Sequence, residues 1–349
     1  MEKGYKILGN YIRLVDERNK NLAVTKLLGV SISKKFIPSI ANIVGTDLSN
    51  YKIVRTGQFA YGPVTSRNGE KISIAYLDEE DCIISSSYTV FEVENKEELD
   101  PEYLMLWFSR PEFDRYARYK SHGSVREIFD WNELCMVELP VPDIEKQRKI
   151  VKAYKTITDR IDLKQKINDN LESMLTAVYF EQFYSSKASE YTKLSDLMVF
   201  GNGKSRPKTN GTIPVYGGNG VLSYTDKYNA ENTVLIGRVG AYCGSVYLEQ
   251  SICWVSDNAI FAKSKITNDE FFDYFLLKGL NLFNHHVGTG QQLLTQDILN
   301  NIEVQKPDIE QIGLFNMKAK SVFETISANK CEIIRLQKLS DLLLARLAI

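Results

Sequence analysis

The sequence predicts an α+β fold in which one mixed domain, followed by one long helix, occurs twice. Three observations support this prediction: the tetrapeptide Pro-Asp-Ile-Glu recurs at 142–145 and 307–310, about 40 residues of helical character follow each copy, and short β-rich segments precede each copy. The chain has 349 residues, a length typical of about two domains. We therefore expect two similar α/β domains separated by two long helices.

The tetrapeptide match extends into its flanks without a gap. With the offset kept, Gly123 aligns with Gly288, and apolar residues align at Leu134 and Leu299, Val137 and Ile302, Ile157 and Val322, Ile161 and Ile326, and Leu171 and Leu336. Two copies at so large a period indicate a duplicated domain and not a solenoid of short repeats.

Each mixed domain has several short segments rich in β-branched and aromatic residues, which predict strands. They lie at 72–76, 81–86 and 88–93 in the first copy and at 233–236, 245–248 and 258–262 in the second. Residues 100–119 predict a helix, with Pro101 near its start and Pro111 interrupting it.

The segments after the two tetrapeptides predict long helices. No Pro or Gly occurs from Asp143 to Tyr184, and Asp143 is a favourable N-cap. Asp308, with Gln311 three residues later, forms a capping-box pattern. Apolar residues follow at heptad steps: Ile150, Tyr154, Ile157, Ile161, Leu171, Leu175 and Val178 in the first segment, and Phe315, Val322, Ile326, Ile333, Leu336 and Leu343 in the second.

A long helix with a single apolar stripe needs a partner, and the obvious partner here is its own duplicate. Parallel and antiparallel packing are both sterically possible. We favour an antiparallel coiled coil, which relates the two halves by a pseudo-twofold axis and brings Lys164 and Asn168 near Asn329. Polar residues in such a seam fix its register at some cost in stability.

Composition excludes several classes of protein. The net charge of −1 argues against a generally basic nucleic-acid binder, although local basic faces remain possible. No stretch approaches 18 uninterrupted apolar residues, so we expect no membrane span. The five cysteines form no C-x-x-C pair, so neither a zinc site nor a disulfide framework is indicated, and a cytoplasmic location is expected.

No catalytic constellation stands out. His122, His285 and His286 lack the spacing of a metal site. Residues 198–205 are not a phosphate-binding P-loop, because Met198 stands where the first glycine is required. The Asn/Asp-Pro-Pro-Tyr/Phe tetrapeptide of adenine methyltransferases and the G-x-S-x-G elbow are also absent. Together these absences favour a protein that is not itself an enzyme.

Basic residues cluster in both mixed domains. Lys and Arg supply phosphate contacts to DNA, and Arg or Gln can read base edges in the major groove. For any single residue, a solvated surface position is the commoner alternative. For at least one cluster per domain we favour DNA contact, because two basic domains on a rigid spacer form a two-site reader. The candidates are Lys34, Lys35, Arg55, Arg67, Arg118, Lys120 and Arg126 in the first domain and Lys204, Arg206, Lys208, Arg238 and Gln291 in the second.

These features together resemble the specificity subunit of a type I restriction–modification system, over essentially the whole chain. Residues 139–147 (LPVPDIEKQ) resemble the family's entry into its conserved helix, whereas the second copy has Ile312 where Gln is expected. Further resemblances are residues 203–207 and 213–220 to the opening of a recognition domain, and Gly123-Ser124 and Gly288-Thr289 to an element late in each domain. The first domain lacks the Ile-Pro-x-Tyr-Gly opening, which favours different half-sites for the two domains.

The resemblance implies a first target recognition domain at 1–141, a central conserved helix at 142–186, a second target recognition domain at 187–306 and a distal conserved helix at 307–349. It further implies a non-catalytic subunit that reads a bipartite, asymmetric target in double-stranded DNA, with the helix pair setting the spacing. Adenine N6 methylation or restriction would be carried out by two methyltransferase subunits, which hold S-adenosylmethionine, and by restriction subunits, which use ATP and Mg.

The resemblance places no cofactor in this chain and implies no membrane association. Three alternatives stay open: a stand-alone two-domain DNA-binding regulator, a degenerate single-chain modification enzyme, and a coiled-coil scaffold whose basic clusters are solvated faces.

Overall fold

The computed structural model describes residues 4–39, 45–66, 68–122, 127–184, 190–288 and 290–347. It forms two compact units, Met1–Leu163 with Glu332–Ile349, and Lys164–Cys331. Each unit combines one mixed domain with one half of each long helix. The residues of interest that lie outside the described part are Arg67, Gly123, Ser124, Arg126 and Thr289.

The β structure of the first unit consists of short strands. The strands described are β1 (Tyr5–Ile7), β2 (Ile12–Val15), β3 (Leu28–Val30), β4 (Phe36–Pro38), β5 (Lys52–Val54), β6 (Phe59–Tyr61), β7 (Ile74–Tyr76), β8 (Cys82–Ile84), β9 (Thr89–Val93) and β10 (Glu138–Pro140). Four of them form an antiparallel sheet of order β2-β9-β6-β7, and the others pair as β1–β10, β3–β4 and β5–β8. Phe59 and Phe91 stack across this sheet, with ring centroids 4.9 Å apart.

Short helices complete the first domain: α1 (Pro101–Phe108), α2 (Pro111–Tyr119) and α3 (Trp131–Cys135). Asp100 caps α1, because its Oδ1 accepts hydrogen bonds from two amides of the first turn. Arg110, in an extended conformation before Pro111, separates α1 from α2. The interruption predicted at this proline is confirmed.

The second unit is built on a six-stranded sheet. Its strands and short helices are β11 (Tyr191–Lys193), α5 (Leu194–Leu197), β12 (Met198–Asn202), β13 (Ile213–Gly217), β14 (Gly220–Thr225), β15 (Ala230–Gly237), β16 (Val246–Val255), β17 (Ala259–Ser264), α6 (Phe271–Gly279), α7 (Gln296–Asn300) and β18 (Glu303–Gln305). The order is β12-β17-β15-β16-β13-β14, with only the β13–β16 pairing parallel, and β11 pairs with β18. Side chains alternate along the central β15: Val234 and Ile236 pack into one cluster and Leu235 into another.

The two long helices are α4 (Ile144–Tyr184) and α8 (Ile309–Arg346). Asp143 caps the first, with Oδ1 accepting from the amide of Lys146 at 2.9 Å. Asp308 caps the second but accepts from the amide of Glu310, at 2.8 Å. The reciprocal bond of Gln311 expected for a capping box is not among the hydrogen bonds of the described residues. No described helix is long and apolar enough to cross a bilayer.

Within each unit the two long helices run antiparallel. In the second unit, Lys164 bonds to Asn329, while Tyr179, further along α4, contacts the ring of the earlier residue Phe315. In the first unit, Arg160 pairs with Glu332, and Val151, nearer the start of α4, shares a buried cluster with Leu344. The antiparallel coiled coil predicted from the sequence is therefore present.

The duplication is visible in the elements themselves. A constant offset of 165 residues relates α3 to α7, β10 to β18 and α4 to α8, as from Trp131 to Gln296. Upstream, α1 of the first unit corresponds to α6 of the second, since each follows the strands of its domain.

Candidate nucleic-acid interface

A backbone frame at the end of β6 organises the first unit. Residues 62–64 follow this strand, and Val64 forms a β-bridge with Ile128, which also bridges His122. The carbonyl oxygen of Pro63 accepts from the amide of Phe129 at 2.9 Å. His122, Ile128 and Phe129, which follow α2, are thereby fixed to the end of the sheet.

The same frame recurs at the end of β15 in the second unit. Val239 bridges Leu293, which also bridges Val287. The carbonyl oxygen of Arg238 accepts from the amide of Leu294 at 2.9 Å, as that of Pro63 does from Phe129. The two units therefore present equivalent loops at equivalent ends of their sheets.

Several loops of the second unit meet at this end. Lys204 forms a β-bridge with Ser256, the amide of Arg238 donates to the carbonyl of Asn258 at 3.0 Å, and the amide of Gly240 donates to the carbonyl of Gln292 at 3.0 Å. We call this the loop surface, comprising residues 203–212, 217–220, 237–245, 256–258, 287–288 and 290–294.

Two glycines permit the close approach of these loops. A Cβ atom at Gly203 would lie 1.9 Å from the carbonyl oxygen of Ser256, and one at Gly237 would lie 2.1 Å from that of Tyr242. Any larger residue would push the backbone segments apart. These two glycines therefore allow the loops to pack closely at this end of the sheet.

The loop surface carries all five candidates predicted in the second domain. Lys204, Arg206, Lys208 and Gln291 are exposed, and Arg238 is half-buried. Arg206 donates from Nε to Ser223 Oγ at 3.1 Å. Within the described residues, the ion pairs of this unit involve other lysines, so no carboxylate neutralises these four cations. The surface therefore holds four cationic side chains without an ion-pair partner, beside the exposed carboxylate of Asp257.

Most candidates in the first unit have internal partners. Arg118 pairs with Glu127, and Lys120 pairs with Glu133 at 3.2 Å. Arg55 bonds to both Glu17 and Asp81; these hydrogen bonds raise the pKa of its guanidinium and lower the pKa of both carboxyl groups. Lys35 is exposed on the turn between β3 and β4.

Lys34 occupies a different environment from the other candidates. Its side chain is only 11% exposed, and its ammonium bonds to Asp114 and to the carbonyl of Ile72, the latter at 2.9 Å. Burial lowers the pKa of this ammonium, and the ion pair with Asp114 opposes that effect. The ammonium of Lys34 is therefore bound within the domain, and we leave Lys34 out of the proposed DNA contacts.

Sequence reasoning missed two exposed residues on the loop surface, Tyr242 and Asn258. Neither belongs to a motif, and only the folding of their loops brings them beside Arg238. No group of three His, Cys, Asp or Glu side chains in the described part of the chain could hold a metal ion.

Comparisons with known proteins point to one family. The family model "Type I restriction modification DNA specificity domain" matches residues 31–173 and 187–340. The HindI type I restriction enzyme specificity subunit of Haemophilus influenzae is 24% identical over 158 residues, 44% of this chain and 34% of that protein. The match thus spans about a third of that relative's length.

The fold agrees with a solved structure. The S subunit of a type I restriction–modification system from M. genitalium has a TM-score of 0.64 at 15% identity, covering 99% of this chain and 96% of that chain. This likeness shows the shared fold. The two family-model matches together take up most of the chain, which therefore belongs to the type I restriction–modification DNA specificity family.

Proposed function

We propose that this chain is the non-catalytic subunit that reads DNA sequence in a type I restriction–modification complex. The observation that carries the proposal is the loop surface, where four basic side chains lie without a carboxylate partner. Such groups bind phosphate oxygens, and Arg and Gln can read base edges. The proposed contacts of the second unit are Lys204, Arg206, Lys208, Arg238 and Gln291.

The first unit would bind a second half-site through Lys35, Arg55, Arg118 and Lys120. The arginines and Lys120 are paired with carboxylates, but their side chains are 35–44% exposed. Exposed ion pairs are worth only about 0–1 kcal/mol, so a DNA phosphate can replace the carboxylate. Because the two units share a backbone frame but carry different side chains on it, the proposed target is bipartite and asymmetric.

The chemistry would belong to partner subunits. We place S-adenosylmethionine and the flipped adenine in two methyltransferase subunits, and ATP and Mg in restriction subunits. The outer faces of the long helices support docking of partners, because they expose large apolar side chains away from the seam. These are Leu163, Ile167 and Met174 on α4 and Leu314, Met317, Ile334, Leu339 and Leu342 on α8.

Long-read methylation mapping tests the proposal. DNA is compared from cells that make this chain with its neighbouring methyltransferase subunit and from cells that lack this chain. We expect a bipartite motif with N6-methyladenine on both strands, absent without the chain. Unchanged methylation, with both proteins made and associated, would reject the proposal and favour a regulator or a scaffold.

A further inference from the structure

The equivalent frames of the two units differ at their central side chain. Gly62 and Gly237 occupy the same place, since their amides donate to the carbonyls of Ser73 and Ser245 at 2.9 and 2.8 Å. The next residue is Pro63 in the first unit and Arg238 in the second. One backbone position thus carries a side chain with no donor in one unit and a guanidinium in the other.

We propose that Arg238 reads a guanine base in the major groove of the half-site bound by the second unit. Pro63 leaves the first unit without this contact. The inference rests on the proposed function and deepens it, because it names the base and the residue that selects it.

The backbone of Arg238 is held by three hydrogen bonds. Its amide donates to the carbonyl of Asn258 at 3.0 Å, and its carbonyl accepts from the amide of Leu294 at 2.9 Å and from the thiol of Cys243 at 3.4 Å. A side chain on so fixed a backbone loses less freedom when it binds. This is the support that sequence readout requires.

The guanidinium of Arg238 makes few hydrogen bonds within the protein. Its Nε is buried without a hydrogen-bond partner, and Nη1 lies a long 3.5 Å from the carbonyl oxygen of Asp257. A buried donor left unpaired is unfavourable, so the guanidinium gains hydrogen bonds when it turns outward to a ligand that accepts from it. The planar fork of an arginine matches the O6 and N7 acceptors of guanine, the commonest specific contact in the major groove.

Most other described arginines of the two domains pair with a carboxylate, unlike Arg238. Outside the long helices, the described arginines that pair with a carboxylate are Arg13, Arg18, Arg55, Arg110, Arg115 and Arg118. Arg206 and Arg238 do not. Arg206 is exposed and bonded to Ser223, which suits a phosphate contact, whereas Arg238 is half-buried at the end of β15, on a backbone fixed by hydrogen bonds.

The test is selection of target sequences by the chain in complex with its methyltransferase subunit. The probe is a pool of random duplex DNA, and the proteins are the natural chain, R238A, R238K, R238Q and the control K265A. Lys265 lies past the far end of β17 and donates to the carbonyl of Ser195, so K265A removes a charge away from the loop surface.

We expect K265A to select the same bipartite motif as the natural chain. R238A loses the preference at one G·C pair of one half-site, by roughly 5- to 150-fold, the range for a bidentate contact. R238K keeps the charge without the fork, so its affinity recovers while its selectivity for guanine stays below that of the natural chain. R238Q likewise loses the guanine preference. The other half-site is unchanged throughout.

Two results would overturn the inference: an unchanged motif in R238A, or equal weakening at every position of the motif. The second would identify a phosphate contact. If R238A does not fold, as judged by its thermal unfolding, R238K and R238Q decide the matter because both keep a long polar side chain. Absence of any motif with the natural chain would instead reject the proposed function.

Discussion

Asn329 of α8 donates from Nδ2 to Oδ1 of Asn168 of α4, 2.9 Å away, where the two long helices pack together. The Oδ1 of Asn329 also accepts from the ammonium of Lys164 at 2.8 Å. The two asparagines are only 9% and 5% exposed. Because apolar residues recur at regular steps on both helices, a shifted pairing would bury a similar stripe. It would also break this polar trio, which therefore specifies the register of the second unit.

Replacing one residue of this trio should lower the stability of the chain, whereas replacing all three should raise it. N329L removes partners from Lys164 and Asn168, and a buried polar group left unsatisfied costs about 1–3 kcal/mol. Replacing all three residues by leucine removes every polar group, so we expect a higher melting temperature but misregistered or oligomeric species. Thermal unfolding and size-exclusion chromatography measure both effects. A triple variant that stays a monomer of unchanged stability would contradict the register role.

The buried side-chain amide of Gln147 joins the start of α4 to the first domain. In the second unit, the corresponding contact comes from a residue one turn later in α8. Gln147 accepts from the amide of Asp100 at 2.9 Å. The equivalent residue of α8 is Ile312, and Asn316 performs the task by accepting from the amide of Phe272 at 2.8 Å.

Loss of either buried amide should destabilise the chain. We expect Q147L and N316L each to lower the free energy of unfolding by about 1–3 kcal/mol, since each leaves a backbone amide unpaired. The control K146A changes an exposed side chain on the first turn of α4 and should have little effect. Urea denaturation compares the three variants. If N316L were as stable as K146A, Asn316 would not be the functional replacement of Gln147.

These amides show how far the sequence could be interpreted. The duplicated helices, their capping aspartates and the polar centre of the seam are local patterns at fixed spacing, and they predicted the fold. That Asn316 and not Ile312 makes this contact could not be predicted from the sequence, because its partner Phe272 lies 44 residues away. The candidate site was harder still: Lys34 pairs with Asp114, 80 residues distant, so composition could not separate this interior charge from the free cations of the loop surface.

Two buried carboxyl groups should make stability depend on pH. Asp273 is 1% exposed, and burial, reinforced by neighbouring Glu270, raises its pKa well above the usual range. Burial also raises the pKa of Glu270, against bonds from the amide of Ser264 and the ammonium of Lys263. A carboxyl with a raised folded pKa stabilises the fold most below its unfolded pKa, near 4, and loses that stability as pH rises through the folded pKa.

We therefore expect the free energy of unfolding to be lower at pH 8 than at pH 5. D273N keeps a neutral group of the same shape and should reduce this difference, chiefly by stabilising the chain at pH 8. Urea denaturation at the two pH values measures the effect. The matched control D257N changes an exposed carboxyl group and should leave the pH dependence as it is. An equal pH dependence in D273N and the natural chain would show that Asp273 does not titrate between folded and unfolded states.

The buried pair of Lys34 and Asp114 should matter for stability and not for the DNA target. Removing one partner of a buried ion pair leaves an uncompensated charge, which destabilises by about 3–5 kcal/mol. We expect K34M to lower the melting temperature sharply, and K34M with D114L to recover part of the loss. The control for stability is K35M, which changes the exposed neighbour Lys35 and should leave the melting temperature close to that of the natural chain. Methylation mapping at a permissive temperature should give K34M the motif of the natural chain. A changed motif would assign Lys34 to the DNA interface.

The exposed lysines of the loop surface should act through salt-dependent binding alone. Each phosphate contact releases counterions, so the negative slope of log K against log salt concentration becomes shallower by about 0.9 when one contact is removed. We expect K208A to weaken binding of the methyltransferase complex to every duplex alike, with its motif kept. K265A removes the same charge away from the surface and should leave the slope close to that of the natural chain. Fluorescence anisotropy between 50 and 200 mM salt distinguishes the two, and an unchanged slope in K208A would remove Lys208 from the interface.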